Sequence, residues 1–211
     1  MIDLYCERTG PGLWAEPVNA LTNLAYFAAA WAVWLSARAA SRPGARLLAS
    51  LLVAIGTGSA LFHTLATPWA RILDEVPILL FQLSFLWLYG RWIVKMAGMP
   101  TAGLLGGFLM AAYAGRQFPD VLNGSLIYAP AFLVALGIGV YHYRTQPYGR
   151  FTVPAAVGVF VAAVLFRTMD NAVCQTIPLG THFLWHLLTA AALYLFARGL
   201  LVNMPSRPLA V

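Results

Sequence analysis

The chain has 211 residues, 61% of them hydrophobic and only 9% charged, with a net charge of +6. Soluble domains average about 25% charged residues, and a globular core of this length has too little interior for so much apolar surface. A soluble fold is therefore excluded and an all-α polytopic membrane protein is expected. The basic excess, once set on a membrane topology, reads as sidedness rather than as a nucleic-acid footprint.

The first ten residues, MIDLYCERTG, are polar and acid-leaning. They lack a basic stretch followed by an apolar core, so no removable signal peptide is expected. Residues 1–211 read as one membrane domain, with 1–19 as an N-terminal segment outside the bilayer. Seven apolar spans follow, at roughly 20–37, 47–66, 72–90, 101–115, 123–142, 152–168 and 181–202, each near the ~20 residues that cross the hydrocarbon. The fourth is short and rich in glycine. Pro43, Pro100, Pro119 and Pro147 fall in connections, whereas Pro77 and Pro130 fall inside spans, where they would kink the helix.

With the N-terminus outside and the C-terminus cytoplasmic, the inner connections hold Arg38, Arg42, Arg46, Arg91, Lys95, Arg144, Arg150, Arg198 and Arg207. The outer side holds only Arg8, Arg71, Arg116 and Arg167, as the positive-inside rule requires. All seven acids, Asp3, Glu7, Glu16, Asp74, Glu75, Asp120 and Asp170, also fall on the outer side. The rule gives acids little weight, so their crowding has another cause: a cation site, or a solvated acidic rim. Cys6 and Cys174 map to the same side, where an oxidising compartment permits a bridge. Two buried free thiols are the alternative.

The chain has four histidines: His63, His142, His182 and His186. His182 and His186 are four apart and share a helix face. Two ligands do not make a stable zinc site; three protein ligands plus water is the catalytic pattern. His63 closes the second span, which runs outward, and His182 opens the seventh, which runs inward. The three therefore lie at similar depth, while His142 falls at the opposite end as an interfacial residue. Ser59 is four residues before His63, and Asp74 opens the third span on the same side, placed for proton work beside a metal. The competing readings are isolated helix–helix hydrogen bonds, axial haem ligation and a proton relay. The haem reading leaves one histidine, the serine and the acid unexplained. Asp170 and Asn171 lie at an outer turn as hydrogen-bonding groups, Asp170 with a role behind a histidine ligand as the further reading. Trp14, Trp69 and Tyr128 read as interfacial anchors or packing residues, and Phe183 and Trp185 as residues flanking the ligand helix.

The stretches YCER, EPVNALTNLAYF, SALFHTLATPWARILDE, FRTMDNAVC and HFLWH together resemble the alkaline ceramidases, seven-helix intramembrane hydrolases of the CREST superfamily. The resemblance runs from Tyr5 to His186. It implies zinc held by His63, His182 and His186, with Ser59 and Asp74 as the serine and acid, and a bridge between Cys6 and Cys174. It also implies a calcium ion near the N-terminus, with Glu7 and Glu16 as the clearest matches and Asp3 as a weaker one. Here the chain reads Asp-Leu-Tyr-Cys-Glu where the eukaryotic pattern is Asp-Trp-Cys-Glu, and the interval from Glu7 to Glu16 is shorter.

The implied reaction is hydrolysis of the N-acyl bond of ceramide or a related membrane lipid to a fatty acid and a sphingoid base. In it Asp74 moves the proton, and Ser59 stabilises the oxyanion with zinc. The short tails and Ala/Arg-rich composition suit a bacterial inner membrane with the site toward the periplasm. The alternative is a zinc protein like the adiponectin receptors, acting as a receptor or on another N-acyl lipid.

Overall fold

The structure is a computed structural model that describes residues 1–40 and 43–205; the side chains of residues 37–43 lie outside the description. Arg42, Arg207 and the Arg38 side chain, counted above on the inner side, thus fall outside the described residues. All regular elements among the described residues are helical. A short α1 (Pro17–Thr22) passes through Asn23 into α2 (Leu24–Ala40). There follow α3 (Pro43–Leu65), α4 (Pro68–Tyr89), α5 (Gly98–Arg116), α6 (Ala129–Thr145), α7 (Thr152–Val173) and α8 (His182–Asn203).

Among the described residues, six segments are long and apolar enough to cross a bilayer: Pro17–Ser36, Gly44–Leu65, Pro68–Val94, Val121–Thr145, Thr152–Val173 and His182–Asn203. The chain is a polytopic membrane protein. α5, the fourth expected span, is a full helix of 19 residues, but its glycines dilute its apolar character and it is not among the six.

The fifth span differs from expectation. It does not begin as a helix at residue 123, because Leu122, Asn123 and Gly124 take left-handed backbone angles (φ 53°, 52° and 71°). Pro130 consequently sits in the first turn of α6 instead of kinking a span, a position where its missing N–H costs nothing. Arg167 on α7 braces the irregular segment, donating to the Asn123 carbonyl at 2.9 Å and to Ser125 Oγ at 2.8 Å. Irregular backbone at membrane depth survives only when protein groups satisfy it.

α8 is central, packing on α7, α2, α3 and α4. Its buried Ala190, Ala192, Ala197 and Gly199 let neighbouring helices approach closely. α5 lies at the periphery, against α6 and the 121–128 segment. Trp31, Met110 and Leu133 point outward, 61–75% exposed, where acyl chains would cover them. At the end of the bundle that carries three of the histidines, the N-terminal segment forms a second small core: Tyr5 packs with Phe62 and Ala70. The Ile2 amide donates to the Ala66 carbonyl in the α3–α4 turn.

Candidate metal centre

Two helices carry the three histidines. His63 lies in the last turn of α3, and His182 and His186 in the first turns of α8. Each is at most 2% exposed, and each offers a nitrogen within 4.8 Å of the others'. The expected triad is therefore assembled. His142 stands apart at the other end. It is fully buried instead of interfacial, and its Nδ1 meets the Tyr89 hydroxyl at 3.0 Å.

Hydrogen bonds behind the rings decide which nitrogens face inward. His63 Nδ1 lies 2.6 Å from Glu16 Oε2. A carboxylate only accepts, so this nitrogen carries the proton and Nε2 carries a lone pair. His186 Nδ1 lies 3.0 Å from Thr22 Oγ1. The Thr22 hydroxyl spends its own hydrogen on the backbone, on the Val18 carbonyl at 2.8 Å or that of Asn19 at 3.1 Å. With the Thr22 hydrogen placed there, His186 Nδ1 donates and its Nε2 presents a lone pair. In these tautomers the two Nε2 atoms, 3.1 Å apart, have no proton to share. The buried His182 Nδ1 has no hydrogen-bond partner among the described residues. Converging lone pairs without a hydrogen are repulsive unless a cation lies among them. The spacing suits tetrahedral zinc, whose ~2.0–2.1 Å bonds to nitrogen put ligands about 3.3 Å apart.

Sequence reasoning missed Thr22 and Asn19, although a signal was there. Glu16, Asn19 and Asn23 recur at helical spacing in EPVNALTN, a polar stripe entering an apolar helix. Asn19 Nδ2 donates to Glu16 Oε2 at 3.0 Å. Burial works against the Glu16 charge, but the His63 bond and charge, then Asn19 and Arg8, hold its carboxyl below the ordinary carboxylate value.

The other acids have separate places. Glu7 caps α1: Oε1 accepts from the Val18 amide and Oε2 from that of Asn19, each at 2.7 Å. Asp3 is exposed. Glu75 is held by Arg71 at 2.7 Å and Arg116 at 2.6 Å. Asp74 forms no ion pair among the described residues, and its carboxylate neighbours Ser59 and His63. Four of the seven acids thus pair with outer arginines or with helix-terminal amides: Glu16 and Glu75 with arginines, Glu7 and Asp170 with amides.

Asp170 is buried and works through the backbone, not through a histidine ring. Its Oδ1 accepts from the amides of Thr181 at 2.6 Å and His182 at 2.9 Å, capping α8 from a neighbouring helix. Its Oδ2 accepts from the Cys6 amide at 3.1 Å. Cys6 and Cys174 are disulfide-bonded, with Cα atoms 5.1 Å apart. The bridge and Asp170 together seat Tyr5, whose ring stacks on His182 at a centroid distance of 3.6 Å. Burial raises the Tyr5 phenol above its ordinary pKa, so it stays protonated.

A cavity of about 600 Å³ opens beside the triad. Tyr5, Asp74, Tyr128 and Arg167 are among its polar lining, and Leu79, Leu109 and Ile127 among its apolar lining. Arg167 lies over the rings of Tyr128 and Trp185, at 5.3 and 5.9 Å, an arrangement that favours a buried cation.

No curated protein matches the chain. The Ceramidase family model matches residues 5–204, a stretch that contains the triad, Ser59, Asp74, both cysteines and the cavity wall, and the chain accordingly belongs to the ceramidase family.

Proposed function

We propose that the chain is a zinc-dependent intramembrane amidase that hydrolyses the N-acyl bond of ceramide or a related lipid. The products are a free fatty acid and a sphingoid base. The observation that supports this most directly is the approach of the His63 and His186 Nε2 atoms to 3.1 Å, beside a cavity that Asp74 lines. Their other nitrogens are already committed to Glu16 and Thr22.

His63, His182 and His186 would hold the zinc ion, which would supply Lewis-acid chemistry and bring the pKa of a bound water toward neutrality. Asp74 accepts the proton of the attacking water as the new C–O bond forms at the amide carbonyl. It returns that proton to the amide nitrogen as the C–N bond breaks, so one water is consumed per bond cleaved. Ser59 donates its hydroxyl hydrogen to the carbonyl oxygen as negative charge builds there. Glu16 and Thr22 keep the rings of His63 and His186 in the ligating tautomer. The apolar cavity wall takes the acyl chain and excludes water from the amide. The N-terminus and the site face the periplasmic side of a bacterial inner membrane.

The test is fatty-acid release from ceramides and related N-acyl lipids by the purified chain in detergent micelles, with and without a chelator. Release should stop on chelation and return with zinc. Asp74→Asn should lower the rate at least about 100-fold, the contribution of a positioned acid–base, while leaving bound zinc unchanged. Release that persists in a metal-free sample, or in Asp74→Asn, would falsify this reading.

A further inference from the structure

Arg8 is a basic residue inside the acid-rich end of the bundle, and its side chain is 1% exposed. Nε donates to Glu16 Oε1 at 2.5 Å, NH2 to the His63 carbonyl at 2.7 Å and NH1 to the Gly10 carbonyl at 3.3 Å. The guanidinium thus touches both the carboxylate that orients the His63 ring and the backbone of His63 itself.

Calcium takes six to eight oxygen ligands. The carboxylates the resemblance offers it are occupied: Glu16 by Arg8, His63 and Asn19, and Glu7 by two helix amides. Asp3 is exposed and belongs to no metal-ligand group among the described residues. Among the described residues, the buried side-chain oxygens without a partner on α1 and its C-cap are the carboxamide oxygens of Asn19 and Asn23. The donor set does not fit a calcium ion, and a permanent cation already neutralises Glu16.

We propose that the Arg8 guanidinium does in this chain what a second metal ion would otherwise do. It balances the Glu16 charge and holds that carboxylate against His63, so the centre needs zinc but no calcium. Arg8 is then a positioning residue that acts through Glu16, and the resident charge comes from the polypeptide. Its fixed fork suits this: one arm meets the carboxylate and the others tie the N-terminal segment to the end of α3. The shorter interval between Glu7 and Glu16 fits a cation delivered on a side chain. The inference rests on the metal reading of the histidine triad.

Two measurements on the full chain in micelles test it. Wild type stripped with EGTA should show no calcium binding by calorimetry up to millimolar concentration, and no rise in melting temperature when calcium is added. Stoichiometric calcium binding, or a calcium-dependent rise, overturns the proposal. Second, Arg8→Met should weaken zinc affinity about 10–100-fold, the usual effect of losing a group that orients a ligand. Arg8→Lys, which keeps a cation near Glu16, should recover most of that loss. Arg8→Met that binds zinc as tightly as wild type overturns the proposal, as does Arg8→Lys that binds no better than Arg8→Met. Should Arg8→Met fail to fold, the wild-type calcium titration decides alone. A wild type that takes up no zinc refutes the metal reading instead, and the calcium titration still decides whether Arg8 has replaced an ion.

Discussion

Replacing Asp170 with Asn changes one oxygen to an NH2 group and almost nothing in volume. The wild-type carboxylate accepts three backbone N–H groups, from Thr181, His182 and Cys6, in a site with no solvent exposure. The better orientation of the amide keeps its oxygen on Thr181 and His182 and turns its NH2 against the Cys6 amide. That loses one charge-assisted bond, worth about 1.5–3 kcal/mol, and strands a buried donor at about 1–3 kcal/mol. The two retained bonds weaken as their acceptor becomes neutral. Removing an ion from a buried site offsets part of this. The net expectation is a destabilisation of about 3 kcal/mol, read from SDS-driven unfolding in mixed micelles. Zinc affinity should fall about tenfold in parallel, because His182 is the first residue of the helix that Asp170 caps. Asp120→Asn, an exposed acid in the connection between α5 and α6, is the control and should stay within about 0.5 kcal/mol of wild type. An Asp170→Asn protein within about 1 kcal/mol of wild type, with unchanged zinc binding, would show that these amides do not depend on the carboxylate.

Gly58→Ala should separate α3 from α4. A Cβ there would lie 1.9 Å from the Leu73 carbonyl oxygen, and the overlap should cost about 1–3 kcal/mol and move Ser59 and His63 away from Asp74; unchanged stability and activity would rule out this close approach. Cys6→Ser should lower stability by about 2–4 kcal/mol, because the bridge closes 168 residues of chain. In wild type both thiols should alkylate only after reduction, and full labelling without reductant would exclude the bridge.

Much of the site was legible before any coordinates. His182 and His186 share a helix face by spacing alone, and opposite span directions put His63 at their depth. What could not be read was how each acid is used. Glu7, Glu16, Asp74, Glu75 and Asp170 look alike as letters on one side of a membrane. In the structure they cap a helix, orient the His63 ring, face a cavity, pair with two arginines and tie α7 to α8. These partners are up to 164 residues apart in the chain, beyond any local pattern. The irregular start of the fifth span was hidden as well, because apolarity reports membrane depth and not backbone shape. Only the Arg167 contacts reveal why Asn123 and Gly124 need not be helical there.

Composition and periodicity by themselves determined that the chain is helical and lives in a bilayer, because the cost of exposed apolar surface and unpaired backbone leaves few other structures. They also placed the three imidazoles at one end, since depth follows from position along a span. The tertiary structure alone decided tautomers, charge partners and the burial of Arg8. Those depend on which side chains from distant segments come within about 3 Å, a distance set by packing α8 against α3 and by seating the N-terminal segment over both.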